Sequence, residues 1–390
     1  MRLLKKETIL SLVYIYIYVF QEFWSYCVNS LNIHHPYWML ILTLLGIISI
    51  YQLFRDGRNF KLPLFYTIVL VLGAFVSVLN GYTIGFCMLR GLFAIVSLSS
   101  LIFITKHRVN PRLFELLLIG AYIYYYYSYF GLLQNIDNKN EFDGDVFVTS
   151  SANAISICLN CILFLYFILN KYYKEKNQKR IFFFSLVNII LIVIQGSGAG
   201  IIVGLLISLM VLYEIFYNSP SMNKVLLSIA VMLTISVGIF SYLNDITEYF
   251  LQIGLVSDAY EKNIRSFAQY SFLHNMDTKS FFIGYPKGEI FAGVDRTFNS
   301  YLDLWNRYGF FSFCFFVLLL IRRIVKRNSY AIPFIYFTPI LVYAFVETLF
   351  AGQLWDMFFM YMLFLSGPDI PGCPERIGSN LQKEIMKHQE

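Results

Sequence analysis

The composition of this 390-residue chain excludes an ordinary water-soluble domain. Hydrophobic residues make up 58% of it and charged residues only 14%, whereas soluble domains carry about 25% charged residues. The net charge of +6 is divided among short segments between apolar runs. Because it forms no basic stripe or patch, it argues against nucleic acid as a partner and points to the lipid bilayer instead.

Apolar runs of roughly the length needed to cross the hydrocarbon layer follow one another along the chain. Twelve such runs cover residues 9–27, 37–54, 62–80, 84–104, 113–133, 151–170, 181–195, 199–217, 225–242, 308–321, 331–349 and 351–366. We therefore predict an all-α polytopic integral membrane protein with about twelve transmembrane helices, a single transmembrane domain over residues 1–390. The first run has no small-residue cleavage site after it, so it is expected to remain as a signal anchor.

The basic residues predict the orientation of these spans. Lys and Arg cluster at 55–61, 106–112, 171–180 and 322–327, always on the side shared with the N-terminus. Because such residues accumulate in cytoplasmic loops, both termini are predicted to be cytoplasmic. Residues 243–307, inserted between spans 9 and 10, then form one large periplasmic loop.

The six cysteines lie in apolar runs or in the C-terminal tail. Cys158 and Cys161 have the spacing of a metal-binding pair, but their run contains no second pair and no histidine. We therefore expect small buried thiols, with no structural disulfide, metal or cofactor.

Arg90 is a charge inside the fourth predicted span, where leaving it in lipid would cost about 2.5 to 3.5 kcal/mol. One interpretation is structural: Arg90 reaches the nearby interface or pairs with an acid near the outer end of its span, such as Glu22, Glu347 or Asp356. The other is a phosphate site, because guanidinium matches phosphate oxygens in a bidentate fashion. Both interpretations remain open at this stage.

A patterned stretch follows in the large loop. It contains Arg265, then Phe281-Phe-Ile-Gly284-Tyr-Pro286, then Asn299, with Gly309 and Ser312 at the start of the tenth span. This pattern resembles the O-antigen polymerase and O-antigen ligase superfamily. The last large periplasmic loop of those proteins carries an arginine, a Gly-Tyr-Gly-like turn, and a His-Asn followed nine residues later by Gly-x-x-Gly.

The chain departs from that pattern at two places. Phe298 replaces the family histidine, and the segment Gln195-Gly-Ser197 lacks the arginine often found between two adjacent central spans. Because ligases resemble one another strongly at the histidine, its absence favours a polymerase. It also leaves the general base open.

The resemblance implies a metal-independent glycosyltransferase in the bacterial inner membrane, acting at the periplasmic face. The donor and the acceptor would be oligosaccharide repeats linked to polyprenyl pyrophosphate. A chain-length regulator protein is a candidate partner. The leaving pyrophosphate needs fixed positive charge. Arg265 and Arg90 are the predicted donors of that charge, with Arg296 as a third candidate.

The remaining candidate residues are expected to bind the substrates or to activate the acceptor. Asp303 lies one helical turn after Asn299, so both are expected to face the acceptor hydroxyl, with Asp303 as its base or orienter. Both residues could instead cap the tenth helix. Further predicted substrate contacts are Gly284, Tyr301 and Ser197, the last from a glycine-rich turn that either presents backbone amides to phosphate or is only a tight turn.

Two other functions fit the topology. An O-antigen ligase, which transfers glycan to the lipid core, is the nearest alternative. A flippase for lipid-linked oligosaccharides, or another transporter, is the alternative from a different class. A carrier should concentrate polar residues within its spans and show two related halves, and this sequence shows no such halves.

Overall fold

A computed structural model of the chain describes residues 2–19, 36–133, 152–195, 197–217, 268–286, 290, 297, 299–326, 330–346 and 356–366. Within these ranges the chain is almost entirely helical and contains no β-strand. The predicted span at 225–242 lies outside them.

The helix bounds follow the apolar runs closely. In chain order the helices are α1 (Arg2–Tyr14, continued by a π-helical turn Ile15–Val19), α2 (Pro36–Asp56), α3 (Lys61–Val76, continued by a 3-10 turn Ser77–Asn80), α4 (Ile84–Lys106), α5 (Leu113–Leu133), α6 (Ala152–Tyr172), α7 (Gln178–Gln195), α8 (Gly198–Tyr217), α9 (Thr278–Ile283), α10 (Ser300–Val325), α11 (Thr338–Val346, preceded by a 3-10 turn Phe334–Phe337) and α12 (Met357–Phe364). Residues 268–274 are also helical.

Several described helices are suited to cross a membrane. Four of them are long and apolar enough: Lys61–Asn80, Ile84–Lys106, Ala199–Tyr217 and Ser300–Val325. Shorter apolar helices lie at Leu113–Ile123, Ser156–Tyr172 and Phe334–Phe345. The chain thus has the architecture of a multi-pass helical membrane protein, and each of these helices overlaps a predicted span. The total of twelve stays a prediction.

The centre of the bundle is formed by mainly apolar helices that are buried on nearly all sides. The membrane window of α4 is 78% buried, against 33 to 39% for the other three long helices. In α6, every residue from Ser156 to Asn170 is buried. A helix that is hydrophobic all round belongs in such an interior, whereas the outer helices expose large apolar side chains as a lipid-facing surface requires.

Ion pairs join many helix ends on one face of the bundle. Asp56 at the end of α2 pairs with Lys106 at the end of α4, and Lys171 at the end of α6 pairs with Glu214 near the end of α8. Arg108 bridges Glu7 and Glu175, at 3.2 and 2.5 Å, and Arg180 lies 3.2 Å from Glu115. The basic clusters at 55–61, 106–112 and 171–180 therefore share one face, as their grouping predicts. That this face is cytoplasmic stays a prediction.

Helix α10 begins earlier than the tenth predicted span. The predicted span starts at 308, but the helix begins at Ser300, within the predicted loop 243–307. Gly309 interrupts it with φ 79° and ψ 167°. The nine residues Ser300–Tyr308 thus form a helical approach that is kinked against the longer segment reaching Val325.

Candidate functional site

Side chains from distant parts of the chain meet where α3 ends and α4 begins, on the face opposite the ion pairs. Ser77 Oγ donates to the backbone carbonyl of Arg307 on α10. Asn80 Nδ2 donates to the carbonyl oxygens of Ile283, at 2.6 Å, and Gly284, at 3.0 Å. Both donors are buried, and a buried polar group is costly without such a partner. These bonds bring the end of α3 to the patterned stretch of the large loop.

The two glycines Gly284 and Gly309 lock the loop turn against the kink of α10. Their φ values are +84° and +79°, a region that side chains other than glycine rarely adopt. A Cβ on Gly284 would overlap the backbone carbonyl of Asn306, and one on Gly309 would lie 2.9 Å from the carbonyl oxygen of Phe282. The two glycine positions that carry the resemblance are thus required for close packing of two backbone segments.

Side-chain hydrogen bonds also hold this turn in place. The backbone N–H of Tyr285 donates to Asn306 Oδ1 at 2.8 Å, and the indole N–H of Trp305 donates to the carbonyl of Phe281 at 2.7 Å. The Tyr285 hydroxyl donates to the carbonyl of Phe272 at 3.1 Å. The turn is therefore held by both α10 and residues 268–274.

Arg90 lies beside this junction and is only 2% exposed. Its Nη1 donates to Ser77 Oγ at 3.4 Å, and its guanidinium carbon lies 3.9 Å from the centre of the Phe86 ring and 4.7 Å from that of Tyr82. Its Nε has no hydrogen-bond partner. The ring faces offset part of the cost of burying the charge, while one donor direction remains unsatisfied.

No carboxylate in the described part of the chain forms an ion pair with Arg90. Asp356, one of the three acids considered as its partner, instead lies before α12 and lines a small cavity with Tyr308 and Ser97. Glu22 and Glu347 are outside the described residues. The pairing of Arg90 with Asp356 is therefore wrong.

A second arginine, Arg307, lies next to Arg90. Ser77 connects the two residues, because its hydroxyl accepts from Arg90 and donates to the carbonyl of Arg307. The two guanidinium groups are close enough for their like charges to repel each other. Arg307 Nη2 lies 3.6 Å from Asp303 Oδ2, one helical turn earlier, and the Arg307 side chain is 13% exposed. Among the described residues, the guanidinium groups of Arg90 and Arg307 and the carboxylate of Asp303 thus lie together in this buried cluster.

Asn299 and Asp303 hold the start of α10. Asn299 is its N-cap, and its Oδ1 accepts from the backbone N–H groups of Tyr301 and Leu302 at 3.0 and 3.2 Å. Asp303 Oδ1 accepts from both the backbone N–H and the hydroxyl of Thr297, at 2.8 and 2.9 Å. The capping alternative therefore describes Asn299, and Asp303 ties the preceding loop to the same helix end.

Tyr301 and Ser197 contact other helices. The Tyr301 hydroxyl donates to the carbonyl of Leu341 at 3.0 Å. Ser197 is 1% exposed, accepts from the backbone N–H of Gly200 at 3.2 Å and lies 2.8 Å from the hydroxyl of Ser156. A Cβ on Gly200 would lie 2.5 Å from that of Ser156. The described residues of this turn are covered by α6, which agrees with the interpretation of a tight turn.

The structure therefore groups some of the predicted site residues and separates others. Arg90, Gly284 and Asp303 belong to the junction of α3, α4, α9 and α10. Asn299 and Tyr301 donate to backbone carbonyls of α11, and Ser197 contacts α6. Arg265 and Arg296 lie outside the described residues, as does Phe298.

Four residues of the junction were not identified from the sequence: Ser77, Asn80, Asn306 and Arg307. Ser77 and Asn80 carried a weak signal, because they are polar residues at the outer end of an apolar run. The i, i+4 spacing of Asp303 and Arg307 was a second signal. Neither indicates which distant residue would be the neighbour.

Comparisons of this chain with protein-family models, with curated proteins and with solved structures found no match.

Proposed function

We propose that this protein is an O-antigen polymerase, which joins polyprenyl-pyrophosphate-linked oligosaccharide repeats at the periplasmic face of the bacterial inner membrane. The observation that carries the proposal is the cluster of Arg90 and Arg307 beside the turn at Gly284. It places buried positive charge next to the stretch whose pattern resembles the superfamily.

The chemistry of the leaving group supports this proposal. When a sugar is transferred from polyprenyl pyrophosphate, negative charge develops on the departing pyrophosphate. Fixed donors in a site that excludes bulk water stabilise such charge well, and a single one is worth about 10²- to 10³-fold in rate. We propose Arg90 and Arg307 as two of these donors, with Arg265 and Arg296 as further donors from the loop.

We propose that Asp303 positions Arg307 and does not act as the general base. One of its carboxylate oxygens is held by Thr297 and the other faces Arg307. It is therefore a positioning residue that orients Arg307, and the acceptor hydroxyl takes its base from elsewhere. The proposed partners are the two lipid-linked glycans and a chain-length regulator, and both termini are proposed to be cytoplasmic.

Deletion of the gene in its host separates the candidate functions, with the surface glycan analysed on a gel. Loss of a polymerase leaves a product with one repeat, whereas loss of a ligase leaves no repeat on the lipid core. Loss of a flippase also abolishes repeats at the surface. A mutant without any repeat would contradict the proposal.

Point variants then test the arginine cluster. Arg90→Lys and Arg307→Lys are each expected to shorten or abolish the polymer at normal protein level, since lysine offers a hydrated point charge without the guanidinium fork. Lys279→Ala is the matched control, because Lys279 is an exposed cation on the adjoining helix α9. Full-length polymer from Arg90→Ala would return Arg90 to a structural role.

A further inference from the structure

An exposed aromatic surface flanks the turn at Gly284. The side chain of Phe282 on α9 is 43% exposed and that of Phe311 on α10 is 71% exposed. Their rings stack with centres 6.0 Å apart and an angle of 24° between their planes. Tyr270 and Leu273, in the helical residues just before α9, are 60% and 57% exposed. The stacked pair of Phe282 and Phe311 is an apolar surface that calls for a nonpolar partner.

The position of Phe311 along α10 indicates that this side chain faces lipid. Phe311, Leu318 and Val325 are seven residues apart, so they lie on one face of the helix, and all are more than half exposed. Phe311 precedes Val325 by 14 residues, about 21 Å of helix at 1.5 Å per residue. That is less than the roughly 30 Å of hydrocarbon in a bilayer. Phe311 therefore lies within the lipid-facing belt, and so does the ring stacked on it.

The backbone polar groups of the turn at Gly284 have hydrogen-bond partners within the protein, as non-helical backbone near a membrane requires. Non-helical backbone at membrane depth must have its polar groups satisfied by protein. The carbonyls of Ile283 and Gly284 accept from Asn80, and the N–H of Tyr285 donates to Asn306. These polar groups of the turn are therefore satisfied by protein, as a position close to the hydrocarbon requires.

The other end of α9 is polar. Asp277, Thr278 and Lys279 are all exposed. Asp277 caps α9 by accepting from the backbone N–H of Ser280 at 2.7 Å. Hydrogen bonds from Ser280 lower the pKa of the Asp277 carboxyl from its ordinary value, because they favour the charged form. This end of the helix therefore carries full charges that belong in water.

We propose that residues 268–286 form an interfacial anchor, with Phe282, Leu273 and Tyr270 inserted among the phospholipid acyl chains of the adjacent leaflet and with Asp277 and Lys279 in water. The anchor holds the turn at Gly284 at the level of the lipid headgroups. This places Arg90 and Arg307 at the depth of lipid phosphates. The anchor does not depend on the proposed reaction.

Nitroxide labels at single cysteines in lipid nanodiscs of phosphatidylethanolamine and phosphatidylglycerol test the anchor. The background protein has its native cysteines replaced and is first shown to retain its helix content and thermal stability. Leu273→Cys, Tyr270→Cys and Phe282→Cys carry the labels. Leu318→Cys serves as the lipid reference and Lys279→Cys as the water reference. Collision with oxygen is compared with collision with a water-soluble nickel complex.

The expected result is that labels at 270, 273 and 282 favour oxygen over nickel several-fold more than the label at 279 and approach the ratio at 318. Nickel accessibility equal to that at 279 would overturn the anchor. Protection from both reagents would also overturn it, since protein would then cover the surface. If Phe282→Cys fails to fold, positions 270 and 273 decide the question alone.

Discussion

At the scale of single residues, two glycines explain why distant parts of the loop pattern occur together. Gly284 and Gly309 are 25 positions apart, yet each meets backbone that belongs to the other's segment. The sequence indicates both positions, because the resemblance rests on them. The sequence could not show why glycine is required there. A backbone contact between two distant segments leaves no other mark in the sequence than the glycine itself.

Replacement of Gly284 by alanine is expected to destabilise the protein strongly. Its φ and ψ of 84° and 175° lie in a region that costs other residues about 1 to 3 kcal/mol, and its Cβ would overlap the carbonyl of Asn306. Gly81→Ala is the control, because Gly81 has φ +81° with open space around its Cβ position. Thermal unfolding in detergent measures both. An equal melting temperature for the two variants would show that the backbone contact contributes nothing.

Asn299 provides a second test at this scale. Asn299 caps α10 through Oδ1 and donates through Nδ2 to the carbonyl of Phe345. Asn299→Ser keeps the cap alone, so it should be more stable than Asn299→Ala, which also loses the cap at a cost of about 1 kcal/mol. Polymer length should follow the same order as stability, which thermal unfolding measures in parallel. If the serine variant is stable but makes no polymer, the Asn299 amide has a role beyond capping.

At the scale of elements, helix positions were predictable and helix interruptions were not. The apolar runs located α3, α4, α8 and the later part of α10 to within a few residues, because hydrocarbon thickness sets the length of a span. The start of α10 was missed because Ser300–Tyr308 is mixed in polarity. The kink at Gly309 was also not predictable, because a glycine within a helical pattern can lie at a kink or at an ordinary helical position.

The ion pair between Lys171 and Glu214 joins α6 to α8 and receives a hydrogen bond from Tyr336. Glu214→Gln should destabilise the protein by up to about 3 kcal/mol, because it leaves a largely buried lysine without its counter-charge. The double variant Lys171→Met with Glu214→Gln should recover part of that loss. Thermal unfolding of the two single variants and the double variant measures the coupling. Purely additive losses would contradict a direct pair.

At the scale of the whole molecule, the sequence predicted which helix ends share a face. The rule that basic residues gather on one side of the membrane grouped the segments that the structure joins through ion pairs. The sequence did not predict which helices are neighbours. Ser77 and Arg307, for example, are in contact although they are 230 positions apart. The apolar surface of a helix does not specify which other helix packs against it.

Reporter fusions test the proposed orientation. Fusions within residues 280–290 should report the periplasm, and fusions within 171–180 and 322–329 should report the cytoplasm. The reason is the charge asymmetry between the two faces. A cytoplasmic signal from residue 285 would invert the orientation and remove the arginine cluster from the periplasmic face.

In the proposed function, this protein polymerises lipid-linked glycan with the help of the arginine cluster. The most direct measurement is a reconstitution in liposomes, with the purified protein and a polyprenyl-pyrophosphate-linked repeat from the host as the sole glycan, followed by gel separation of the product. We expect a ladder of repeats with the wild-type protein and with Lys279→Ala, and severe loss of the ladder with Arg90→Ala and Arg307→Ala at equal reconstitution. Movement of the single repeat across the bilayer without any ladder, in liposomes that hold well-folded wild-type protein, would contradict the claim.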